Sequence, residues 1–342
     1  SAQIILFLIF IITLEILYSN KQDIILRDLK ILLILVFLAA SLKAIYLIYL
    51  ILIPYVLFEI KKIQYLIKII KTNLIVLLTV FFVLNSSINF FSTGCILYPA
   101  TNTCFENLSW SINKKEVSEM KVHYEWWAKA GGGPNYSHSL SKEEYIKNFN
   151  WFNNWIDRHF FNKVSDTLLG ILAICVITFL LFKAKKKKVY KKRKLFLLYI
   201  LLAIFFAEWF LNHPAMRYGG FVLFALPFFL FTGSLLEKYK IDKKKLLNSA
   251  LILITLTILI FNIRNIARIK KEINIYSYKI SVSPFYYIPK TSEKVIYENE
   301  NIKIYQPTKG KMCWNTSTPC SYSSNIKSES WLNFNVISRD DK

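Results

Sequence analysis

Residues 183–194 (KAKKKKVYKKRK) hold nine lysines or arginines and no acid, and they lie between two long apolar stretches. Dense positive charge in a short loop between apolar segments stays on the cytoplasmic side of a membrane, because carrying it across costs far more than leaving it behind. The chain is 54% hydrophobic with a mean hydropathy of +0.35. Its apolar residues come in runs rather than on helical stripes, so the expected class is an all-α polytopic membrane protein. The net charge of +22 does not call for nucleic acid, because the basic residues cluster beside the apolar runs and not on a soluble domain.

A hydrocarbon core of about 30 Å needs about 20 helical residues, fewer where flanking side chains snorkel. Eight spans are expected, at 4–18, 29–42, 44–58, 73–91, 166–182, 195–211, 217–236 and 246–262. Residues 29–58 as one straight helix, at about 1.5 Å per residue, would overshoot the core by half. Two short helices broken at Ser41, Leu42 and Lys43 fit better. The apolar run begins almost at Ser1 with no charged segment before it, which is not the pattern of a signal peptide. Upstream sequence with further spans is expected.

With the basic run inside, Lys21, Arg27, Lys30, Lys61, Lys62, Lys68, Lys71, Lys240 and Lys243 to Lys245 fall inside as well, and Lys43 falls near the outer surface. Residues 92–165 become a large external loop with eight basic and seven acidic side chains, a near balance that suits the far side. The expected organisation is spans at 1–91, the external loop at 92–165, spans at 166–262 and an external tail at 263–342. Arg264, Arg268, Lys270 and Lys271 fit poorly outside, but the cysteines argue for it. Cys95 with Cys104, and Cys313 with Cys320, bracket short turns close enough to bridge in an oxidising compartment. No histidine has ligand spacing to them, so no metal is expected. Cys175 falls inside a span, where a thiol behaves as a small apolar residue.

Within the loop, helices are expected over 114–129 and 141–160, the second opened by a capping box of Ser141 and Glu144. A flexible break at Gly131 to Pro134 separates them. Trp151, Phe152, Trp155, Phe160 and Phe161 either form an interfacial belt at the headgroup level or a platform for a sugar. In the tail, KVIYENENIKIYQP alternates as a small β-hairpin does.

The segment AEWFLNHPAMRYGG gathers Glu208, His213, Arg217 and Tyr218 at the outer ends of two spans, where charge is expensive. Either Arg217 grips a phosphate while His213 or Glu208 handles a proton, or Glu208 and Arg217 pair to pin a turn begun by Pro214. Lys43 either snorkels or meets a lipid phosphate. Glu116, Glu119 and Glu125 are acids near aromatic residues, on what is ordinarily a solvated helix face. No Walker loop and no GxGxxG is present, so no nucleotide cofactor is expected.

The order of parts, with a short helix pair broken at LAASLKAIYL, then a span and a large external loop, resembles the membrane-embedded glycosyltransferases of the GT-C fold. Protein mannosyltransferases and aminoarabinose transferases belong to that group. The combination GCILYPATNTCF, HPAMRYGG and CWNTSTPC is similar to an uncharacterised family of bacterial polytopic proteins of surface-polysaccharide loci. The resemblance implies an inner-membrane, multi-pass glycosyltransferase with a periplasmic loop and tail, which moves a sugar from a polyprenyl phosphate to a glycan or lipid acceptor. Lys43 and Arg217 would then hold phosphate, with His213 and Tyr218 lining the same cavity. The acid of that fold lies ahead of these residues and has no match here. The alternative is a non-catalytic flippase or polymerase partner for the same lipid-linked glycan. Transporters concentrate charge at the bilayer midplane, where this sequence has few acids apart from Glu15.

Overall fold

The computed structural model describes residues 2–108, 110–132, 139–186, 195–276, 291–298, 302–309, 313, 315–321, 325–331 and 334–339. Most of the basic run (187–194) and Pro134 lie outside them. The described chain is mostly helical and forms two compact units, residues 1–249 and 250–342.

In the first unit the helices are α1 (Ala2–Tyr18), α2 (Gln22–Leu42), α3 (Leu52–Glu59), α4 (Gln64–Ile70), α5 (Asn73–Thr93), α6 (Lys114–Ala128), α7 (Lys142–Ile146), α8 (Phe152–Trp155), α9 (Ser165–Phe182), α10 (Phe196–Asn212) and α11 (Gly220–Leu236). A twelfth, α12 (Lys243–Tyr276), runs across the division between the units. Each of the eight expected spans coincides with helix. Three continuous helices are long and apolar enough to cross a bilayer, Asn73–Thr93, Phe152–Phe182 and Lys243–Ile275. Four more are apolar but shorter, Ala2–Tyr18, Ala44–Glu59, Phe196–Asn212 and Gly220–Leu236.

Several boundaries differ from expectation. α2 starts at Gln22, seven residues early, because Asp23 sits in its first turn, where a carboxylate meets the positive end of the helix dipole. The break falls at Lys43, whose backbone is extended (φ −155°, ψ 119°). Residues Ala44–Ile51 then form a 3-10 helix before α3. α12 continues past residue 262 through the charged stretch, whose lysines, arginines and glutamate are good helix formers with an Arg268–Glu272 pair one turn apart.

One core joins α1, α2, the 44–59 segment, α10 and α11, with Leu6, Phe10, Leu32, Val36, Leu52, Leu202, Trp209 and Val222 among its enclosed side chains. Within it Tyr49 is edge-on to Phe10 and 4.6 Å from the ring of Phe205. The helices alternate in direction, which sorts the connections into two ends. Gln3, Lys43, Gly94 and the 213–219 turn share one end. At the other, the strands β1 (Lys185–Lys186) and β2 (Tyr239–Lys240) pair antiparallel, and Lys245 Nζ donates to the Lys183 carbonyl at 3.0 Å. Two basic segments that are distant in sequence are thus held together at the end opposite the 213–219 turn.

The loop between α5 and α9 is stapled as expected by a Cys95–Cys104 disulfide. Gly94 ends α5 at φ +77°, and a Cβ there would sit 2.3 Å from Ser111 Cβ, so both backbone conformation and space demand glycine. α6 matches its expected range and is capped by Asn113. α7 opens on the expected Ser141–Glu144 capping box but stops at Ile146. Lys147 is extended, and Asn148 and Phe149 take positive φ, so the expected helix to residue 160 is replaced by α8 and a π-helix, Ile156–Val164, that feeds α9. The expected flexible break is packed where described: a Cβ on Gly131 or Gly132 would strike the rings of Trp126 and Trp127 at 2.4 Å.

In the second unit, β3 (Glu293–Glu298) pairs with β4 (Lys303–Pro307) as the expected hairpin. The Cys313–Cys320 disulfide follows, with Tyr305 donating to the Pro319 carbonyl and accepting from Ser321 N–H. A second hairpin, β5 (Ile326–Trp331) with β6 (Phe334–Arg339), was not anticipated. Cys175 is a free, buried thiol, as expected.

α6 is tied to the following segment through one buried hydroxyl. Tyr145 Oη donates to the Lys129 carbonyl at 2.8 Å and accepts from Asn154 Nδ2 at 2.7 Å. Tyr145→Phe takes this donor from the Lys129 carbonyl, while Asn154 keeps its bond to the Ala130 carbonyl, so it is expected to cost about 1–3 kcal/mol of stability. Thermal unfolding of the purified protein measures it, and an unchanged midpoint would show that the hydroxyl is dispensable.

Candidate functional site

Residues 213–218 form a short turn between α10 and α11, and three side chains from three elements hold its carbonyls. Trp155 Nε1 donates to Pro214 O at 2.8 Å, Trp209 Nε1 to Ala215 O at 3.1 Å and Gln3 Nε2 to Met216 O at 3.1 Å. Buried carbonyls need such partners, and here two of the three, Gln3 and Trp155, come from distant parts of the chain. Trp151 and Trp155 are only 2% and 3% exposed. They are therefore neither a headgroup belt nor an open platform. Phe161, 66% exposed, is the part of that aromatic stretch that faces outward.

On this turn the sequence-derived candidates converge. Lys43 Nζ lies 3.5 Å from the Arg217 carbonyl and 3.5 Å from the centroid of the Tyr218 ring, across 174 residues of sequence. It makes a cation–π contact rather than snorkelling into open water. Burial first, and the Arg217 charge second, lower its ammonium to about 8. Lys43 lies in the break between two helices, outside both. Arg217 donates to Tyr218 Oη at 3.3 Å, with its guanidinium 5.0 Å from the same ring.

Among the described residues no Glu208–Arg217 ion pair forms. Glu208 instead accepts from Asn212 Nδ2 at 3.3 Å and stands 3.9 Å from His213 Nδ1, within ion-pair range but too far for a hydrogen bond. His213 caps α10 and packs its ring 5.5 Å from that of Tyr218. Tyr46, Tyr49, Glu208, Trp209 and Tyr218 line one small cleft, and Tyr46 Oη has no hydrogen-bond partner there. The other acids do not join this group. Glu125 pairs with the buried Lys129, which stacks on Trp151, so its role is structural. Glu116 and Glu119 lie elsewhere on α6.

Arg217 also lines a cavity of 1150 Å³ beside the turn. Its other walls include Trp127 and Gly132 from the loop, Asp157, Arg158, His159, Phe161 and Lys163 from the π-helix, and Met216 and Phe221. His159 is 6% exposed, with Nε2 lacking a partner. Sequence reading missed Arg158, His159 and Lys163. In an α-helix of about 3.6 residues per turn, positions five apart point about 140° away from each other. The wider i→i+5 turn of a π-helix brings them toward one face, and π-turns recur at functional sites. No group of three or more metal-ligating side chains occurs among the described residues.

A lowered Lys43 carries a measurable signature. Its amine is expected to reach half-maximal acylation near pH 8, against about 10.4 for an ordinary lysine. Arg217→Gln removes the repelling charge, so the midpoint should move upward. Because the folded value lies below the unfolded one, this group favours the folded state increasingly as pH rises from about 8 toward the unfolded value. Mass-spectrometric labelling against pH tests it, and a midpoint at the ordinary value would refute the burial.

No curated protein and no solved structure matches this chain. Residues 3–224 match a family defined as a domain of unknown function, DUF8201. That stretch contains Lys43, the π-helix, the 213–218 turn and every wall of the cavity. The chain belongs to the DUF8201 family.

Proposed function

We propose that this chain is a multi-pass protein of a bacterial inner membrane that transfers a sugar from a polyprenyl-phosphate donor to a cell-surface glycan or lipid acceptor. The membrane part rests on three helices long and apolar enough to cross a bilayer, together with the apolar side chains that α5 and α12 leave uncovered. Such surfaces are costly in water and neutral in lipid. The gathering of basic segments at one end supports that end as cytoplasmic, with the stapled loop and the 213–218 turn periplasmic.

The single observation that carries the activity is the meeting of Lys43 with Arg217 and Tyr218 beside a large cavity, at the end opposite the paired basic segments. In the reaction an acceptor hydroxyl oxygen bonds to the anomeric carbon as the anomeric bond to the phosphate oxygen breaks. The hydroxyl proton passes to a base, for which Glu208 and His213 are the candidates at hand. The lipid phosphate leaves with the bonding pair, and cations on it stabilise the charge that develops. Neither a metal nor a nucleotide is required by this scheme.

The alternative, a transport or assembly partner for the same lipid-linked glycan, draws on Asp28. That carboxylate is fully enclosed in α2, with Oδ1 bound to Arg27 at 2.8 Å and Oδ2 without a partner. Buried intramembrane acids are typical of proton-coupled carriers. Asp28 lies toward the basic end of the bundle, away from the cavity, whereas the other candidate groups stand at the cavity end. Glu15 is exposed in the last turn of α1 and not at mid-span.

Arg217→Ala is expected to lower surface glycan at least tenfold at normal protein level, and Lys43→Ala to lower it less. Unchanged glycan with Arg217→Ala removes that residue from the mechanism. Loss with Asp28→Asn alone favours the carrier. Sidedness is read separately, by maleimide labelling of intact cells. Ser139→Cys should react and Ala184→Cys should not, and the reverse pattern would invert the orientation.

A further inference from the structure

The cavity beside the 213–218 turn has a charge pattern more specific than the reading above requires. Three cations, Arg158, Lys163 and Arg217, face one carboxylate, Asp157, around its wall. Two elements far apart in sequence supply them, so the cluster is a product of folding. His159 stands among them with Nε2 lacking a partner among the described residues. A buried polar atom of this kind is ordinarily satisfied, and an oxygen of a ligand would satisfy it. Phe161 and Phe221, both exposed, and Met216 supply an apolar wall next to the charged one. The site adjoins Ser165, where α9 and its apolar run begin.

We propose that this cavity binds the diphosphate group of a lipid-linked substrate, with Arg158, Lys163 and Arg217 on its oxygens and its first isoprene units along Phe161 and Phe221. A sugar joined to a lipid through one phosphate carries one negative charge, and through a diphosphate it carries two. Three cations against one carboxylate, among the described residues that line the cavity, favour the more highly charged of the two. Guanidinium groups suit this task because their planar donors engage phosphoryl oxygens bidentately. A cavity of 1150 Å³ exceeds the usual volume of a small-ligand site, about 300–1,000 Å³, which leaves room for a sugar beside the diphosphate. The assignment rests on the glycosyl-transfer reading only for the identity of the substrate. Binding is measured without any transfer.

The full chain, purified in detergent, is titrated with farnesyl diphosphate, farnesyl monophosphate and inorganic pyrophosphate, each corrected against empty micelles. Farnesyl diphosphate should bind at least tenfold more tightly than either of the others. Arg158→Gln and Lys163→Gln should each weaken it about tenfold. Arg158→Lys and Lys163→Arg, which keep the charge, should stay within about threefold and so separate lost recognition from misfolding. Equal affinity for the monophosphate would overturn the diphosphate assignment. Equal affinity for pyrophosphate would make the ligand a free anion and overturn the lipid part. No saturable binding, or binding unchanged in the Arg158→Gln and Lys163→Gln double variant, would overturn the site. Loss of surface glycan with Arg217→Ala in the face of that result would leave the transfer reading standing, and farnesyl diphosphate binding with unchanged glycan would leave only this inference.

Discussion

The candidate site depends on three hydrogen bonds to one turn. Between α10 and α11 the chain reverses at Pro214, and the carbonyls of residues 214, 215 and 216 are taken by Trp155, Trp209 and Gln3. Among apolar helices an unpaired carbonyl is expensive, and there is little hydrophobic drive to hold one helix on another when the surroundings are equally apolar. Side-chain donors of fixed reach therefore set the position of the turn more firmly than shape alone. Through them the first helix, the loop between α5 and α9 and the α10–α11 pair are brought to one place. Arg217, Tyr218 and the cavity follow from that.

Polarity elsewhere is spent in the same way. Lys129, buried beneath the loop, is neutralised by Glu125 and covered by Trp151, and the Tyr145 hydroxyl closes the gap between α6 and the chain that follows. Among the described residues Lys43 has no such carboxylate. It rests on the face of Tyr218 and on a carbonyl, and its charge is held less firmly as a result. A cation that is fully compensated is a structural element, whereas one that is only partly compensated is available to a ligand. That contrast separates Lys129 from Lys43.

Much of the architecture was legible in the residues. The apolar runs named the helices, the small-residue stretch before Lys43 named the break, and Ser141 with Glu144 named a capping box. Both cysteine pairs bridge as their short separations suggested. What failed did so for local reasons. A helix was expected to run through residues 147–151, and Asn148 and Phe149 instead take positive φ, a conformation that asparagine tolerates and phenylalanine adopts here only in contact with Trp151. The aromatic stretch pointed to a surface, yet its two tryptophans are buried, Trp155 as the donor to the Pro214 carbonyl and Trp151 packed against Trp155 and Phe210.

Composition and order along the chain determined that this protein is helical, where its apolar helices lie and which cysteines are neighbours, because those properties arise from runs and spacings within a few turns. They also singled out Lys43, Glu208, His213, Arg217 and Tyr218 one at a time. Only the tertiary structure decided that Lys43 meets Arg217 and Tyr218, that Glu208 turns to Asn212 and His213, and that Arg158, His159 and Lys163 share a wall with them. The physical reason is that a π-turn changes which positions face together, and a contact spanning 174 residues depends on how helices pack, which no local pattern records.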